Sequence, residues 1–320
     1  MGATLTTKDL ESLTLQGPAR QLFIDIQAYR RKVHFSAPVP GIVYHYTTGR
    51  GLLGIIESDR LWATNIGYLN DPSEWQYASS LVREALQKRR ESDSSRLVRD
   101  FCDNALTSFN LAETLSIYVA CFCEDGDLLS QWRGYADAGE GYSIGLPGTV
   151  LMELGGFGAK FFFGKVEYRK AKQVEIITAV LDQTIAGLLT LTKSRKAATQ
   201  TMKVCCKVFQ QSIWFALAVF KSGAFESEKE WRAIRLLTTT EEKASVRMRT
   251  VSGQLVPYIE LDFLGSPWRK GEKLPLAHVY HGPTLNPALT KKSLELLLSR
   301  NGHPNAEPRG SQIPLRIVGR

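Results

Sequence analysis

Residues able to act on a sugar or a phosphate concentrate in two stretches that lie far apart in the chain. The first, Tyr44–Glu74, begins with a histidine between two tyrosines. The second, Phe225–Arg232, contains three alternating carboxylates: Glu226, Glu228 and Glu230. Two carboxylates two residues apart beside an aromatic residue suit a sugar, because one can hold a ribose hydroxyl while the other polarises an acceptor. The two stretches are therefore interpreted as the two halves of one binding cleft.

The beginning of the first stretch has the character of a β-strand. Val43–Tyr46 is aromatic and branched, which favours a strand. Alternation in a strand places His45 and Thr47 on one face and Tyr44 and Tyr46 on the other. A histidine and a hydroxyl on one face could hold a ribose or a phosphate, although a purely structural histidine is equally compatible with this pattern.

The rest of the first stretch adds an aromatic strand and a polar turn. Trp62 and Thr64 share one face of a short strand, where a tryptophan is either a core residue or part of the cleft. A polar cluster follows in the order Asn70, Asp71 and Glu74. Turn formation and the start of a helix alone would explain Asp71 and Glu74, so their role as ligands stays one of two alternatives.

A third segment, Leu129–Tyr135, is interpreted as a polar loop between two strands. It contains an amide, an aromatic ring and a guanidinium in the order Gln131, Trp132 and Arg133. A guanidinium binds phosphate or carboxylate in a bidentate manner, so Arg133 is a candidate anion ligand. If the Phe225–Arg232 stretch is extended, Glu226, Glu228, Glu230 and Arg232 share one of its faces.

The arrangement of predicted elements favours one mixed α+β domain. Strands and helices alternate irregularly, which argues against a doubly wound sheet. No glycine-rich loop follows a predicted strand, and this argues against Rossmann and P-loop folds. Residues 1–40 are predicted to form an N-terminal helical arm, and residues 41–320 a single catalytic-like domain. The long apolar tract at about 173–220 is predicted to be a helical insertion of two helices.

Composition limits the possible partners and the compartment. The net charge of +8 favours anionic partners such as nucleotides or nucleic acid. Five cysteines without a CxxC pair argue against a disulfide framework and against a zinc site, so reduced thiols in a cytosol are expected and no metal. The longest apolar run, Ile213–Phe220, is far shorter than the roughly 20 residues that span a bilayer. We expect a cytoplasmic protein with no membrane partner.

The order of short motifs along the chain resembles a bacterial family of proteins of unknown function, of the DUF2971 type. The motifs that carry the resemblance are Tyr44-His45-Tyr46-Thr47, Leu61-Trp62, Asn70-Asp71-Pro72-Ser73-Glu74, Ser130-Gln131-Trp132, Gly141-Tyr142-Ser143-Ile144-Gly145, Glu228-x-Glu230-Trp231-Arg232, His281-Gly282-Pro283 and Ser311-x-Ile313-Pro314-x-Arg316. Together they cover roughly Val43 to Arg316. Each motif alone is weak, whereas the combination in this order is specific.

A more distant resemblance links the same layout to ADP-ribosyltransferases. It implies a mixed, largely antiparallel split sheet, with NAD as the cofactor. By this resemblance His45 contacts the NAD ribose, Trp62 or Thr64 lies beside the nicotinamide, and Glu230 is the catalytic glutamate, with Glu228 two residues before it. The residues expected to bind the cofactor are His45, Tyr46, Thr47, Trp62, Thr64, Asn70, Asp71, Glu74, Gln131, Trp132 and Arg133.

These observations lead to one expected function and two alternatives. The expected function is NAD-dependent ADP-ribosyl transfer, or NAD cleavage, with an unknown nucleic acid or protein as acceptor, in a bacterial toxin or antiviral defence effector. The first alternative is a nuclease that uses His45, Asp71 and Glu74. The second is a non-catalytic nucleotide- or nucleic-acid-binding module with aromatic stacking platforms. Transfer requires Glu230 to lie within about 15 Å of His45, the span of a shared small ligand.

Overall fold

The computed structural model describes most of the chain. The described residues are 16–34, 37–69, 71, 73–110, 117–135, 141–155, 161–192, 195–237, 240–251, 253–261 and 273–314. The helices are α1 (Gly17–His34), α2 (Gly49–Ser58), α3 (Ser73–Ser92), α4 (Arg96–Asn110), α5 (Leu129–Tyr135), α6 (Gly148–Leu154), α7 (Lys170–Leu191), α8 (Arg195–Leu217), α9 (Thr240–Lys243) and α10 (Pro287–Arg300). The strands are β1 (Ile42–Thr48), β2 (Leu61–Asn65), β3 (Ile117–Cys123), β4 (Gly141–Pro147), β5 (Phe162–Lys165), β6 (Glu230–Leu236), β7 (Arg247–Val251), β8 (Gln254–Leu261), β9 (His278–His281) and β10 (Glu307–Gly310).

The described strands form one mixed, open sheet. Its main path has the order β10-β9-β4-β1-β3-β2-β8-β7, while β6 pairs with β3 off this path and β5 pairs with β6. The pairing of β9 with β10 is parallel, and the other pairs are antiparallel. The expected mixed α+β architecture is therefore confirmed.

The sheet divides at β3, and this division positions the site described below. One edge of β3 is occupied by β6 over its full length, from Ile117 opposite Leu236 to Cys123 opposite Glu230. The other edge is shared, because β1 pairs with it at Cys123 and β2 pairs with it at Val119 and Tyr118. Since β1 and β2 are both antiparallel to β3, they run parallel to each other. Between their pairing positions the sheet is split.

Each of the two diverging strands leaves β3 because it is paired more extensively on its other side. β1 pairs with β4 over all seven of its residues, from Ile42 to Thr48. β2 pairs with β8 from Leu61 to Thr64. The hydrogen bonds of each strand are thereby satisfied away from β3, so the split costs little backbone bonding. A cleft can form between β1 and β2 without leaving long unpaired strands.

Two apolar cores cover the two faces of the sheet. On one face, α3, α4, α7 and α8 pack over residues such as Val119 and Ile234, and α1 joins them through Ile26. On the other face, α2, α6 and α10 cover residues such as Val43 and Ala233. The tract predicted as two helices over 173–220 corresponds to α7 and α8. The division into an arm over 1–40 and a domain over 41–320 stays a prediction.

Helix α7 is the one described helix that is long and apolar enough to cross a membrane by length and composition. It packs against α1, α3 and α8, and its buried residues include Ile176, Val180 and Ile185. A helix that contributes one face to such a layer behaves as a core helix. The cytoplasmic location stays a prediction.

One local expectation was wrong, and a condition considered for the sequence is not met. Residues 129–135 form the short helix α5 rather than a loop. Residues 223–228 form a 3-10 helix, so Glu226 does not extend the strand that begins at Glu230. Lys229 joins the two segments in a left-handed conformation with φ 45°. A left-handed residue reverses the direction of the backbone locally, which a strand pattern read from alternation does not predict.

Candidate functional site

A cleft of about 440 Å³ lies at the split in the sheet. Its volume is in the range of small-molecule sites in proteins, about 300 to 1,000 Å³. Residues of β1, β2, β3, α5 and β7 line it together with the carboxylates at the start of β6. The polar and aromatic side chains that line it include His45, Thr47, Arg50, Trp62, Thr64, Gln131, Arg133, Glu228, Glu230 and Arg249. The two stretches singled out in the sequence therefore do line one cleft.

His45 lies where one edge of β3 is not paired with another described strand. Its Nδ1 lies 2.8 Å from the main-chain oxygen of Cys121, between the positions at which β1 and β2 pair with β3. A carbonyl oxygen only accepts, so Nδ1 carries the proton and donates. Burial lowers the pKa of His45 to about 4, which keeps the ring neutral at physiological pH. Nε2 is then an acceptor, suited to a ribose hydroxyl.

The stability of the protein should depend on pH through His45. The pKa of this ring is about 4 in the folded chain and about 6.5 when unfolded, so its contribution is fully present above pH 6.5. As the pH falls from 6.5 to 4, the unfolded state takes up a proton first and stability is lost. We expect the free energy of unfolding, measured with urea, to decrease over this window and His45→Gln to flatten the decrease. If the free energy of unfolding of His45→Gln fell with decreasing pH as steeply as that of wild type, the low pKa assigned to His45 would be wrong.

Tyr46 fixes the loop that precedes α5. Its hydroxyl donates to the main-chain oxygen of Asp125 and accepts from the amide of Leu128, each at 2.9 Å. Burial raises the pKa of the phenol well above its usual value. Tyr46 also packs edge-on against Trp132, with ring centroids 4.8 Å apart. Although Tyr46 lines the cleft, its hydroxyl is already used within the protein, and its role is to position α5.

Helix α5 presents two of its three predicted ligands to the cleft. Gln131 and Arg133 line it, and Arg133 is exposed. Trp132 does not line it, because its ring is fully buried and its Nε1 donates to Asp127 at 2.7 Å. The expectation that Trp132 binds the cofactor is therefore not supported. Its position on α5 turns it into the protein core.

The two carboxylates of the polar turn after β2 are used within the protein. Asp71 accepts from the amide and the hydroxyl of Ser73 at 2.9 and 2.6 Å, as a residue that starts a helix does. Glu74 is buried and paired with Arg232 and Lys221. Neither carboxylate lines the cleft. Asn70 lies outside the described residues.

A charge cluster lies beneath the carboxylate side of the cleft. Glu230 receives two hydrogen bonds from the Arg232 guanidinium, at 2.7 and 3.0 Å, and one from Lys221 at 3.0 Å. Lys221 also donates to Glu228 at 2.7 Å. The buried Arg232 and Lys221 hold the pKa of Glu230 at about 2, so this carboxylate is ionised. The members of the charge cluster are Glu74, Lys221, Glu228, Glu230 and Arg232.

The charge cluster has a formal charge of −1, since it combines three carboxylates with two cations. Of its carboxylates, only Glu228 and Glu230 line the cleft. Their side chains are 17% and 5% exposed, so Glu228 is the more accessible. Cys121, which also lines the cleft, has the pKa of its thiol raised by burial and by the Glu230 carboxylate. This side of the cleft therefore favours a cation.

Two residues of the site, Lys221 and Arg249, were not among the candidates chosen from the sequence. Lys221 follows the apolar run Ile213–Phe220, and a lysine directly after a largely buried run indicates a buried partner for its charge. Arg249 belongs to β7, which alternation did not predict as a strand. Among the described residues, no group of three or more His, Cys, Asp or Glu is arranged to hold a metal ion.

Comparison with known proteins gives one match. Residues 131–233 match the family model described as protein of unknown function, DUF2971. The matched segment contains Gln131 and Arg133 of α5 together with Glu228, Glu230 and Arg232. Neither the curated proteins nor the solved structures give a match. The resemblance to this family seen in the sequence is confirmed over residues 131–233.

Proposed function

We propose that the protein binds NAD in this cleft and breaks its nicotinamide–ribose bond, transferring ADP-ribose to an acceptor or to water. The observation that carries the proposal is the sheet split, with His45 on one diverging strand and Glu228 and Glu230 at the opposite edge of β3, where β6 begins. This split supports the finer part of the proposal, a fold of the ADP-ribosyltransferase type. A role in the bacterial cytosol as a toxin or antiviral defence effector belongs to the same proposal.

The separation of the two halves is compatible with a single ligand. Tyr44 and Glu230 are both partners of Cys123, on opposite edges of β3. Adjacent strands lie about 4.8 Å apart, so the Cα atoms of Tyr44 and Glu230 are about 10 Å apart. His45 follows Tyr44 directly and bonds to Cys121, whose thiol is hydrogen-bonded to Glu230. His45 and Glu230 therefore meet the criterion of lying within about 15 Å of each other.

The charge distribution along the cleft also suits NAD. The carboxylates lie beside Cys123, whereas Arg249 is bonded to Thr64, which pairs with Val119. Val119 and Cys123 are four positions apart, a distance of about 13 Å along β3. NAD carries a positive nicotinamide ring at one end of a ribose and a diphosphate at the other. Placing the ring at the carboxylates and the diphosphate at Arg249 matches both charges.

The chemistry follows from the positions of the side chains. When the bond between C1′ and the nicotinamide nitrogen breaks, its electron pair leaves with neutral nicotinamide and positive charge develops on the ribose. The Glu230 carboxylate accepts a hydrogen bond from the 2′-hydroxyl and stabilises that charge where it forms. The Nε2 atom of His45 accepts from a second ribose hydroxyl and orients the sugar. Glu228 takes the proton of the acceptor group when a macromolecule, rather than water, attacks C1′.

The proposal is tested by nicotinamide release from NAD. We expect wild-type protein to release nicotinamide, with bacterial lysate or RNA present or absent, and Glu230→Gln to be slower by about 100-fold or more, because the neutral amide no longer stabilises the ribose cation. Glu74→Gln is the matched control: it changes the same charge cluster but not the cleft, so its rate per folded molecule should stay within a few-fold of wild type. Equal losses in both variants would contradict the proposed role of Glu230.

The two alternatives are distinguished by the same assay. The nuclease has no support in the geometry, because Asp71 and Glu74 do not line the cleft that contains His45. A binding module is favoured if folded wild-type protein binds NAD but releases no nicotinamide under any of these conditions. In that outcome the carboxylates contribute to binding alone, and the proposed reaction is wrong.

A further inference from the structure

Arg249 is an arginine on the cleft whose charge no carboxylate compensates among the described residues. Its Nη2 donates to the hydroxyl of Thr64 at 2.7 Å. Its guanidinium lies over the rings of Trp62 and Tyr258, 5.5 Å from each centroid. The side chain is held in one orientation by these three contacts, and burial lowers its pKa. An arginine remains charged in a protein, so this cation sits partly buried without a counter-charge.

The contrast with Arg232 shows how unusual this is within the chain. Arg232 is buried as well, and it is paired with Glu74 and Glu230. Removing a charge from water without a partner is costly, and buried charges are therefore normally paired. Arg249 has only a hydroxyl and two aromatic faces. A ligand that brings its own negative charge would complete the pairing.

Two donors on this side of the cleft support the same conclusion. The Nε of Arg249 is buried and donates to no acceptor in the described part of the chain. The indole Nε1 of Trp62 is also buried and has no described partner. Both residues line the cleft. A buried donor without an acceptor costs about 1 to 3 kcal/mol, so two of them beside one cation indicate a site for an acceptor group.

We infer that Arg249, Trp62 and Thr64 form a binding subsite for a phosphoryl group of a nucleotide ligand. A phosphoryl group offers several negatively charged acceptors, which match the planar edge of a guanidinium. We call these three residues the Arg249 subsite. The subsite rests on the proposed nucleotide ligand and gives its diphosphate a place, but it does not depend on cleavage of the nicotinamide bond. The two proposals can therefore fail separately.

The test compares the binding of ADP and adenosine by titration calorimetry. Wild-type protein is expected to bind ADP at least about 10-fold more tightly than adenosine, the contribution of one charge-assisted contact. Arg249→Gln should reduce this ratio to below about 3-fold and leave adenosine affinity unchanged. Arg247→Gln is the matched control, because Arg247 lies on the same strand, is paired with Glu260 and does not line the cleft. Its ratio should equal that of wild type.

A second variant keeps the inference testable if Arg249→Gln does not fold. Arg249→Lys retains the positive charge but not the planar edge, and it should still lose several-fold of the preference for ADP. The inference is overturned if wild-type protein prefers ADP by less than about 3-fold, or if the full preference persists in the Arg249 variants that fold. If the protein binds ADP through Arg249 but releases no nicotinamide, the Arg249 subsite is correct and the proposed reaction is wrong.

Discussion

Arg232→Met is expected to lower the free energy of unfolding by about 3 to 5 kcal/mol, the usual cost of removing one partner from a buried ion pair. Arg232 is 1% exposed and bonds Glu230, Glu74 and the main-chain oxygen of Ala218. Without it, three carboxylates share the single cation Lys221, and the formal charge of the charge cluster becomes −2. Methionine fills a similar volume, so the loss of stability is due to the missing charge rather than to a cavity.

The measurement is urea unfolding of wild type and variant at neutral pH. Arg235→Met is the matched control on the same strand, because Arg235 is 20% exposed and forms an ion pair with Glu242 near the surface. Such pairs contribute about 0 to 1 kcal/mol, so the control should lose no more than that. A loss below 1 kcal/mol in Arg232→Met would show that the charge cluster does not stabilise the fold. In both variants the midpoint, rather than the slope, should change.

The parts of the fold that local pattern determines could be predicted. Ile117–Cys123 is apolar and branched, and it forms β3 over those residues. Thr48 caps α2 through its hydroxyl, which accepts from the amide of Gly51 at 3.2 Å, as expected for a threonine before an apolar helix. Trp62 and Thr64 share the less buried face of β2, as the alternation of side chains along a strand predicts. Each of these features depends on neighbours within a few residues.

The parts that depend on distant contacts could not be predicted. Residues 129–135 are polar, and they form α5 because Trp132 is fixed by Asp127 and packs on Tyr46 of β1. Lys221 and Arg232 are separated in sequence from Glu74 by more than one hundred residues. Nothing in a single sequence states that these charges are paired in the folded chain. Arg249 is hidden in the same way, since its partner Thr64 lies in another strand.

Two hydrogen bonds hold the backbone that carries the two cleft carboxylates. The thiol of Cys123 donates to the main-chain oxygen of Glu228 at 2.9 Å, and the amide of Glu230 donates to the Tyr168 hydroxyl at 2.9 Å. Between them Lys229 adopts a left-handed conformation that is sparsely populated for residues other than glycine. Such strain persists when surrounding contacts fix it, and it brings both glutamates to Lys221. The two carboxylates are thereby preorganised, which a role in stabilising a transition state requires.

If Glu228 takes the proton of the acceptor group, Glu228→Gln should impair transfer of ADP-ribose far more than hydrolysis of NAD. Glu228 is the more exposed of the two cleft carboxylates, so an acceptor molecule reaches it more readily than Glu230. A glutamine cannot accept that proton, and general-base contributions are about 100- to 10,000-fold. We expect incorporation of labelled ADP-ribose into the macromolecules of a bacterial lysate to fall by at least about 100-fold, while nicotinamide release in buffer falls by only a few-fold, since Glu230 remains.

The matched control for this test is Glu226→Gln, an exposed carboxylate of the same 3-10 helix that does not line the cleft. Its incorporation and its release should both equal those of wild type. The Glu228 carboxylate accepts a hydrogen bond from Lys221, and a glutamine side-chain oxygen can accept the same bond, so Glu228→Gln should retain most of its stability, and thermal unfolding checks this. Equal losses of incorporation and release in Glu228→Gln would assign Glu228 to the ribose instead. Unchanged incorporation would remove it from the reaction, leaving Glu230 as the only carboxylate of the charge cluster that could act in the cleft.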